Sequence, residues 1–159
     1  WPKTLWPSTG PGANGPTCVG FVCGAAMLFR IEKFASLGFF DETFFLYYED
    51  DDLCLRLFNA HLPIVLAPGV QAVHGSRGSV KGHSPLKSEF TRGYYHAQSK
   101  LSFEKKHGTL QVALQQRRRL LVSTSLALFF RALLFSPKRL ARMWGRLRGL
   151  MEWAVLHGH

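Results

Sequence analysis

Residues 44–56 read FFLYYEDDDLCLR, so five aromatic or apolar residues lead directly into four consecutive acids, Glu49, Asp50, Asp51 and Asp52. Neighbouring carboxylates repel one another and lose hydration when they are buried, so packing alone does not account for the cluster. Apolar surroundings raise the pKa of a carboxyl group toward the range that suits a general base. The stretch therefore indicates a cleft that uses negative charge for chemistry, followed at once by a helix.

The acidic run has two other interpretations. It could simply cap the following helix and face solvent, because carboxylates in a first turn suit the positive end of the helix dipole. It could also be a Ca²⁺ loop, since Asp50 and Asp52 alternate, but the other ligand positions and the required glycine are absent. The residues alone leave the helix cap and the catalytic cleft open.

Charge is distributed very unevenly along the 159 residues, of which 47% are hydrophobic and which carry a net charge of +10. Residues 1–60 hold four basic and seven acidic side chains, whereas residues 61–159 hold sixteen and three. Residues 105–148 contain eleven Lys or Arg and no acid, which predicts an anionic partner such as phospholipid or nucleic acid. Three cysteines without metal-ligand spacing predict free thiols in a reducing, cytoplasmic setting.

Local patterns predict strands and short helices followed by longer helices. Residues 1–17 read as an irregular connection, and the chain starts at Trp1 without a signal-peptide pattern, so we expect a fragment that lacks its N-terminal half. The continuous apolar run at residues 18–29 predicts a strand buried on both faces. The remaining predictions are helices at 30–37, 51–59, 85–107, 110–135 and 138–156, strands at 64–67 and 70–74, and a mobile loop at 75–84.

The last predicted helix has the pattern of a helix that lies in a membrane interface. No apolar segment reaches the roughly 20 residues that a spanning helix needs. The apolar residues recur on one side of the helix while the basic ones fall elsewhere, and no zinc-finger or RNA-binding signature is present, which favours lipid over nucleic acid. The apolar set is Leu140, Met143, Trp144, Leu147, Met151 and Ala154, and the basic set is Lys138, Arg139, Arg142 and Arg146.

The end of the predicted strand at 70–74 and the predicted loop at 75–84 contain further candidates. His74 is either a structural histidine or, if it lies opposite the carboxylates, a metal ligand or proton carrier. Arg77, Ser79 and Lys81 lie in a Gly-rich stretch that either binds phosphate or is an ordinary solvated loop. Neither common Gly-rich phosphate-binding pattern occurs.

The order of motifs in residues 23–79 resembles the C-terminal half of the catalytic domain of glycosyltransferase family 2. The likeness is to the rhamnosyltransferase-like members that build bacterial surface polysaccharides. It rests on a Gly-Ala-Ala-Met segment, an Arg and short helix, a Phe-Asp-Glu turn, the aromatic and acidic run ending in Arg, and a strand ending in His.

This resemblance implies an α/β fold of the GT-A type and inverting transfer of a sugar from a nucleoside-diphosphate sugar to a lipid-linked or polysaccharide acceptor. By position, Asp50 is the general base and Glu49 helps to position the acceptor. The substrate-binding set is Gly24, Ala25 and Ala26, which line the cleft, Asp52 and Arg56, which brace the helix, and Arg77 and Ser79 of the loop. Position 51 is acidic where the family places an apolar residue, so the choice between Asp50 and Asp51 as the base stays open.

The resemblance also implies a metal and a location. His74 matches the histidine that joins an upstream Asp-x-Asp in holding Mg²⁺ or Mn²⁺, and that Asp-x-Asp has no counterpart here, so we expect the isolated chain to bind donor poorly and to be inactive. Residues 18–108 are assigned to the catalytic domain and residues 109–159 to a basic tail on the cytoplasmic face of the plasma membrane. The anionic membrane is the expected partner and nucleic acid is not. The rival hypothesis is a non-catalytic basic adaptor that binds membrane or nucleic acid.

Overall fold

The computed structural model describes residues 15–73, 84–132 and 136–156, which are mostly helical and include one small sheet. Two strands and two helices come first and three long helices follow. In chain order the elements are β1 (Thr17–Val19), α1 (Ile31–Phe34), α2 (Glu49–Asn59), β2 (Ile64–Leu66), α3 (Pro85–His107), α4 (Leu110–Ala132) and α5 (Pro137–Leu156).

The chain divides into two compact units. The first consists of Trp1–Glu42 and Glu49–Gly75, and the second of Thr43–Tyr48 and Ser76–His159. Helix α3 therefore belongs to the same unit as α4 and α5, and the boundary expected after residue 108 does not coincide with the division into units. The assignment of residues 18–108 to catalysis and 109–159 to a tail stays a prediction about function.

In the first unit, β1 and β2 form an antiparallel pair in which Cys18 lies opposite Val65. The expected doubly buried strand at residues 18–29 is wrong, because β1 ends at Val19 and residues 23–26 are exposed irregular backbone. A strand of that kind needs a neighbour on each edge and a covering layer on each face, and within the described residues β1 pairs with β2 alone. Residues 70–73 form no strand either.

Helix α2 is the core element of the first unit and confirms the predicted helix, starting two residues earlier than expected. All four acids lie in its first turn and Arg56 in its last, an arrangement that suits the helix dipole. Leu53 and Leu57 are buried with Phe34 of α1. This packing fixes the direction in which the acidic turn points.

The first helix of the second unit is α3, whose predicted bounds are confirmed. Ser84 is the N-cap residue and its side chain accepts a hydrogen bond from the Lys87 backbone N–H. Pro85 occupies the first turn, where its missing N–H costs nothing, and Gly108 is the C-cap. The signals at both ends are local, which is why the sequence reveals them.

Helices α3 and α5 run parallel to each other. Three contacts join them: Glu89 pairs with Arg142, Gln98 Nε2 donates to the Gly149 carbonyl at 2.8 Å, and Trp153 Nε1 donates to Ser102 Oγ at 3.1 Å. The residue numbers increase in the same direction along both helices, which shows the parallel orientation. The two backbones are very close. A Cβ at Gly93 or Gly145 would overlap backbone atoms of the other helix.

Part of the apolar face of α5 is buried inside this unit. Met143 and Ala154 are buried, together with Leu150 and Trp153, whereas Trp144 and Met151 are exposed. Two of the six apolar residues that predicted an interfacial helix are therefore buried by packing within the second unit. None of the described helices is long and apolar enough to cross a bilayer.

Candidate functional site

The carboxylate of Asp50 is held by two backbone N–H groups. Gly24 N–H donates to Oδ2 at 3.1 Å and Asp51 N–H donates to Oδ1 at 3.0 Å. Asp50 stays partly exposed in the first turn of α2. Both oxygens are thus fixed in direction while still open to a further hydrogen-bond donor.

Glu49, the residue before, has a perturbed carboxyl group. Burial raises its pKa, and the neighbouring charges of Asp50 and Asp51 raise it further, while a backbone hydrogen bond lowers it. No hydrogen-bond partner lies near its buried Oε2 among the residues that the structure describes. Glu49 therefore holds its proton more readily than an exposed glutamate does.

The other two acids point inward. Asp51 is 7% exposed and Asp52 is fully buried. Of Asp50 and Asp51, Asp50 is therefore the one that presents its carboxylate at the surface of the unit. Asp52 cannot touch a substrate directly, and it acts on the site through the helix that it stabilises.

Arg56 joins α2 to the turn that follows α1. Its Nε pairs with Asp52 Oδ2 at 2.9 Å, and Nη1 donates to the carbonyls of Leu37 at 2.9 Å and Gly38 at 3.0 Å. Nη2 donates to the Phe39 carbonyl as well. The guanidinium fork uses several of its donors in one place, which an ammonium could not do. The expected bracing of the helix by these two side chains is present.

The small residues expected near the acids lie in an exposed turn. Gly24 is in contact with Asp50, and a Cβ built on Gly24 would lie 3.6 Å from the Asp50 Cβ. Ala25 and Ala26 follow in the same exposed segment. The structure therefore brings one member of the predicted cleft lining against the predicted base.

The predicted metal and phosphate ligands lie outside the described residues. They are His74, Arg77, Ser79 and Lys81. Within residues 15–73, 84–132 and 136–156, no group of three or more His, Cys, Asp or Glu side chains could hold a metal ion. The described residues do not by themselves fit Mg²⁺ or Mn²⁺, and the metal stays a prediction.

Two tyrosines just before the acidic turn have unusual backbone geometry that the sequence does not reveal. Tyr47 and Tyr48 both have φ of 68°, in the left-handed region. For bulky side chains this conformation costs about 1–3 kcal/mol each and persists only when the surroundings enforce it. Both rings pack on His96 in α3, at centroid distances of 5.5 and 5.7 Å. Ser99 Oγ also donates to the Leu46 carbonyl at 2.9 Å.

A cavity of about 340 Å³ in the second unit is also missed by sequence reasoning. Aromatic rings, hydroxyl groups and an amide share its wall, the mixture typical of small-ligand pockets. The lining comes from two separated segments, so no local motif marks it. It consists of Thr43, Phe45, Tyr94, Tyr95, Gln98, Ser99 and Ser102.

Comparison with known proteins finds rhamnosyltransferases. The chain is 40% identical over 58 residues to rhamnosyltransferase WbbL of Escherichia coli K12, a match that covers 36% of this chain and 22% of that protein. It is 33% identical over 84 residues to the N-acetylglucosaminyl-diphospho-decaprenol L-rhamnosyltransferase of two Mycobacterium tuberculosis strains, covering 46% of this chain and 25% of theirs.

The chain spans about a quarter of the length of these curated relatives. No family model matches it. No solved structure matches it either. Over the matched part, the chain is related to rhamnosyltransferases and hence to glycosyltransferases.

Proposed function

We propose that this chain is part of an inverting glycosyltransferase that transfers a sugar, rhamnose or another hexose, from a nucleoside-diphosphate sugar. Its similarity to proteins named as rhamnosyltransferases supports the reaction class. One of those names includes a diphospho-decaprenol carrier, which supports a lipid-linked acceptor here. The GT-A fold, membership of glycosyltransferase family 2 and a role in bacterial surface glycan synthesis are parts of the same proposal.

The observation that carries the proposal is the fixed carboxylate of Asp50. A sugar hydroxyl is a poor nucleophile near neutral pH, and a positioned base that takes its proton contributes roughly 10²–10⁴-fold to the rate. The hydrogen bonds from Gly24 and Asp51 fix the direction of both Asp50 oxygens. Each oxygen keeps acceptor capacity, so a hydroxyl can donate to Asp50 and lose its proton as its oxygen attacks the anomeric carbon.

Glu49 would help to position the acceptor. Its raised pKa, caused mainly by burial, keeps the carboxyl group protonated to higher pH than usual. The oxygens of Glu49 can accept a hydrogen bond from a second hydroxyl of the same sugar, and at a pH where the group is protonated it can also donate one. Two adjacent acids in one helical turn would then divide the work between proton removal and orientation.

The metal and the location complete the proposal. Mg²⁺ or Mn²⁺ would rest on His74 together with further carboxylates. We place the protein at the cytoplasmic face of the plasma membrane, attached through its basic C-terminal helices. The excess of Lys and Arg over acids in residues 105–148 supports this location.

The decisive experiment replaces Asp50 in the protein that contains this chain. D50N keeps the shape of the side chain but removes its basicity, so we expect sugar transfer to fall by roughly 10²–10⁴-fold while donor binding is retained. D51N is the matched control. Asp51 is nearly buried, so this variant should retain sugar transfer. Undiminished transfer by D50N would remove Asp50 from its role and leave the acidic turn as a helix cap.

A further inference from the structure

The C-terminal half of α4 exposes a continuous apolar face. The exposed fractions are 62% for Val122, 55% for Leu126, 69% for Phe129 and 61% for Phe130. Their spacing of four, three and one residues places them on one side of the helix. The rings of Phe129 and Phe130 contact each other at a centroid distance of 5.6 Å. We call this set the outer face of α4.

The opposite side of the same helix is already used in packing. Leu120 and Leu121 pack against the core of the second unit, and Thr124 is buried. Because both sides are apolar, the residues of the outer face are not needed to hold the helix in the bundle. Within the part of the chain that the structure describes, this face stays exposed, and a contiguous exposed apolar surface usually marks an interaction site.

Positive charge lies at one end of the outer face. Arg118 and Arg119 are exposed and precede Val122 by four and three residues, which places them on the same side of the helix. Arg117 points the other way and donates from Nε to the Leu150 carbonyl at 2.7 Å. No acid occurs anywhere in residues 105–148, so no carboxylate close in sequence neutralises the arginine pair.

We propose that the outer face of α4 inserts into the interface of an anionic phospholipid bilayer, with Arg118 and Arg119 at the headgroup phosphates. The apolar half, residues 120–132, is about 20 Å long, which suits a helix lying in the interface plane. The arginine stems can lie along apolar surface while their guanidinium groups reach phosphate.

Charge argues against a second copy of this chain as the occupant. A symmetric dimer through the outer face would place the same surface of each protomer in contact, and both carry the arginine pair. With no acid in residues 105–148, such a contact would lack charge complementarity. Anionic lipid supplies the missing negative charge together with an apolar layer.

The inference rests on the membrane attachment in the proposed function, and it assigns the lipid contact to α4. The sequence pattern favours α5, but the structure buries Met143 and Ala154 of that stripe and exposes the outer face of α4. It does not depend on sugar transfer, since lipid binding needs neither donor nor acceptor. Failure of vesicle binding and failure of transfer are therefore separate results.

The test is co-sedimentation of the full chain with vesicles of phosphatidylcholine alone or of equal parts phosphatidylcholine and phosphatidylglycerol. We expect binding to the anionic vesicles only, and weaker binding as salt is raised. F129S/F130S should lower the affinity at least about tenfold, because two phenyl rings no longer leave water. R118Q/R119Q should lower it by roughly tenfold or more, since each arginine near the surface contributes on the order of 1 kcal/mol.

The matched control is W144S/M151S, which removes two exposed apolar side chains from α5. It should bind like the wild type, and all variants should keep their helical circular dichroism because the altered side chains are exposed. As a second measurement, lipids that carry a nitroxide on the acyl chain should quench more fluorescence in F130W than in the wild type, which already contains four tryptophans.

Equal binding by F129S/F130S and the wild type would overturn the proposal, as would loss of binding in W144S/M151S alone. Self-association without vesicles that disappears in F129S/F130S, with no lipid binding by the wild type, would assign the outer face to a second copy. F130W fluorescence that is quenched no more than wild-type fluorescence on bound vesicles would exclude insertion.

Discussion

Arg56 and Asp52 form an ion pair one helical turn apart, with Nε 2.9 Å from Oδ2, the carboxylate fully buried and the arginine side chain partly exposed. The same guanidinium donates to the carbonyls of Leu37, Gly38 and Phe39. One side chain therefore fixes the acidic helix against the turn that follows α1. The position of Asp50 depends on this connection, because Asp50 lies in the same first turn as Asp52.

Arg56→Lys should destabilise the chain although it keeps the charge. An ammonium has three donors on a flexible stem and cannot reproduce the fork that reaches Asp52 and several carbonyls at once. Carbonyls and a carboxylate left without full pairing cost about 1–3 kcal/mol in the free energy of unfolding. Urea denaturation measures the change. Arg30→Lys is the control, since Arg30 is exposed and should change stability by less than about 0.5 kcal/mol.

Gly93→Ala should weaken the packing of α3 on α5. The new methyl group would meet the carbonyl oxygen of Arg142 and would lie 2.9 Å from the backbone nitrogen of Arg146, and backbone cannot move aside as a flexible side chain can. Overpacking of this kind costs about 1–3 kcal/mol. Thermal unfolding followed by circular dichroism should show a lower Tm. Gly69→Ala, where a Cβ would meet open space, should leave Tm unchanged.

Glu49 should make the wild type less stable as pH rises. Burial raises the pKa of Glu49 in the folded chain above its ordinary value, so the folded state binds more protons than the unfolded state between the ordinary and the raised pKa. The free energy of unfolding then falls as pH rises through that window. Glu49→Gln removes the ionisation, so its stability relative to the wild type should increase over the same window. A stability difference between the wild type and Glu49→Gln that stays constant over that pH window would contradict the raised pKa of Glu49.

The sequence predicted those elements whose signals are local. Helix α3 has its cap residue, its first-turn proline and its terminal glycine in consecutive order, and α2 has acids and Arg56 at the ends that the dipole favours. The contact between Asp52 and Arg56 also follows from a spacing of four on a helix. The resemblance assigned Gly24 and Asp50 to one cleft, but no local rule predicts the hydrogen bond that the structure shows between them.

The predictions that failed depend on distant partners. Residues 18–29 have a composition that suits a buried strand, but a strand needs neighbours, and composition does not supply them. The sequence does not reveal the outer face of α4. Both sides of the C-terminal half of this helix are apolar, which removes the periodicity that marks an amphipathic helix. The left-handed backbone at Tyr47 and Tyr48 is enforced by contacts with α3 and has no signature in the tyrosines themselves.

Tyr94 and Glu152 should titrate as a linked pair. Tyr94 Oη donates to Glu152 Oε2 at 2.7 Å, and burial together with this hydrogen bond raises the pKa of Tyr94 to about 12. The same bond, followed by one from Arg148, lowers the pKa of Glu152. A difference titration of phenolate absorbance between the wild type and Tyr94→Phe should isolate a component near 12. In Tyr94→Phe, carboxyl NMR should show the Glu152 pKa moving up toward its ordinary value, whereas Tyr95→Phe should leave it in place. An unchanged Glu152 pKa in Tyr94→Phe would mean that Arg148 alone sets it and that the α3–α5 contact at this position is not a hydrogen bond in solution.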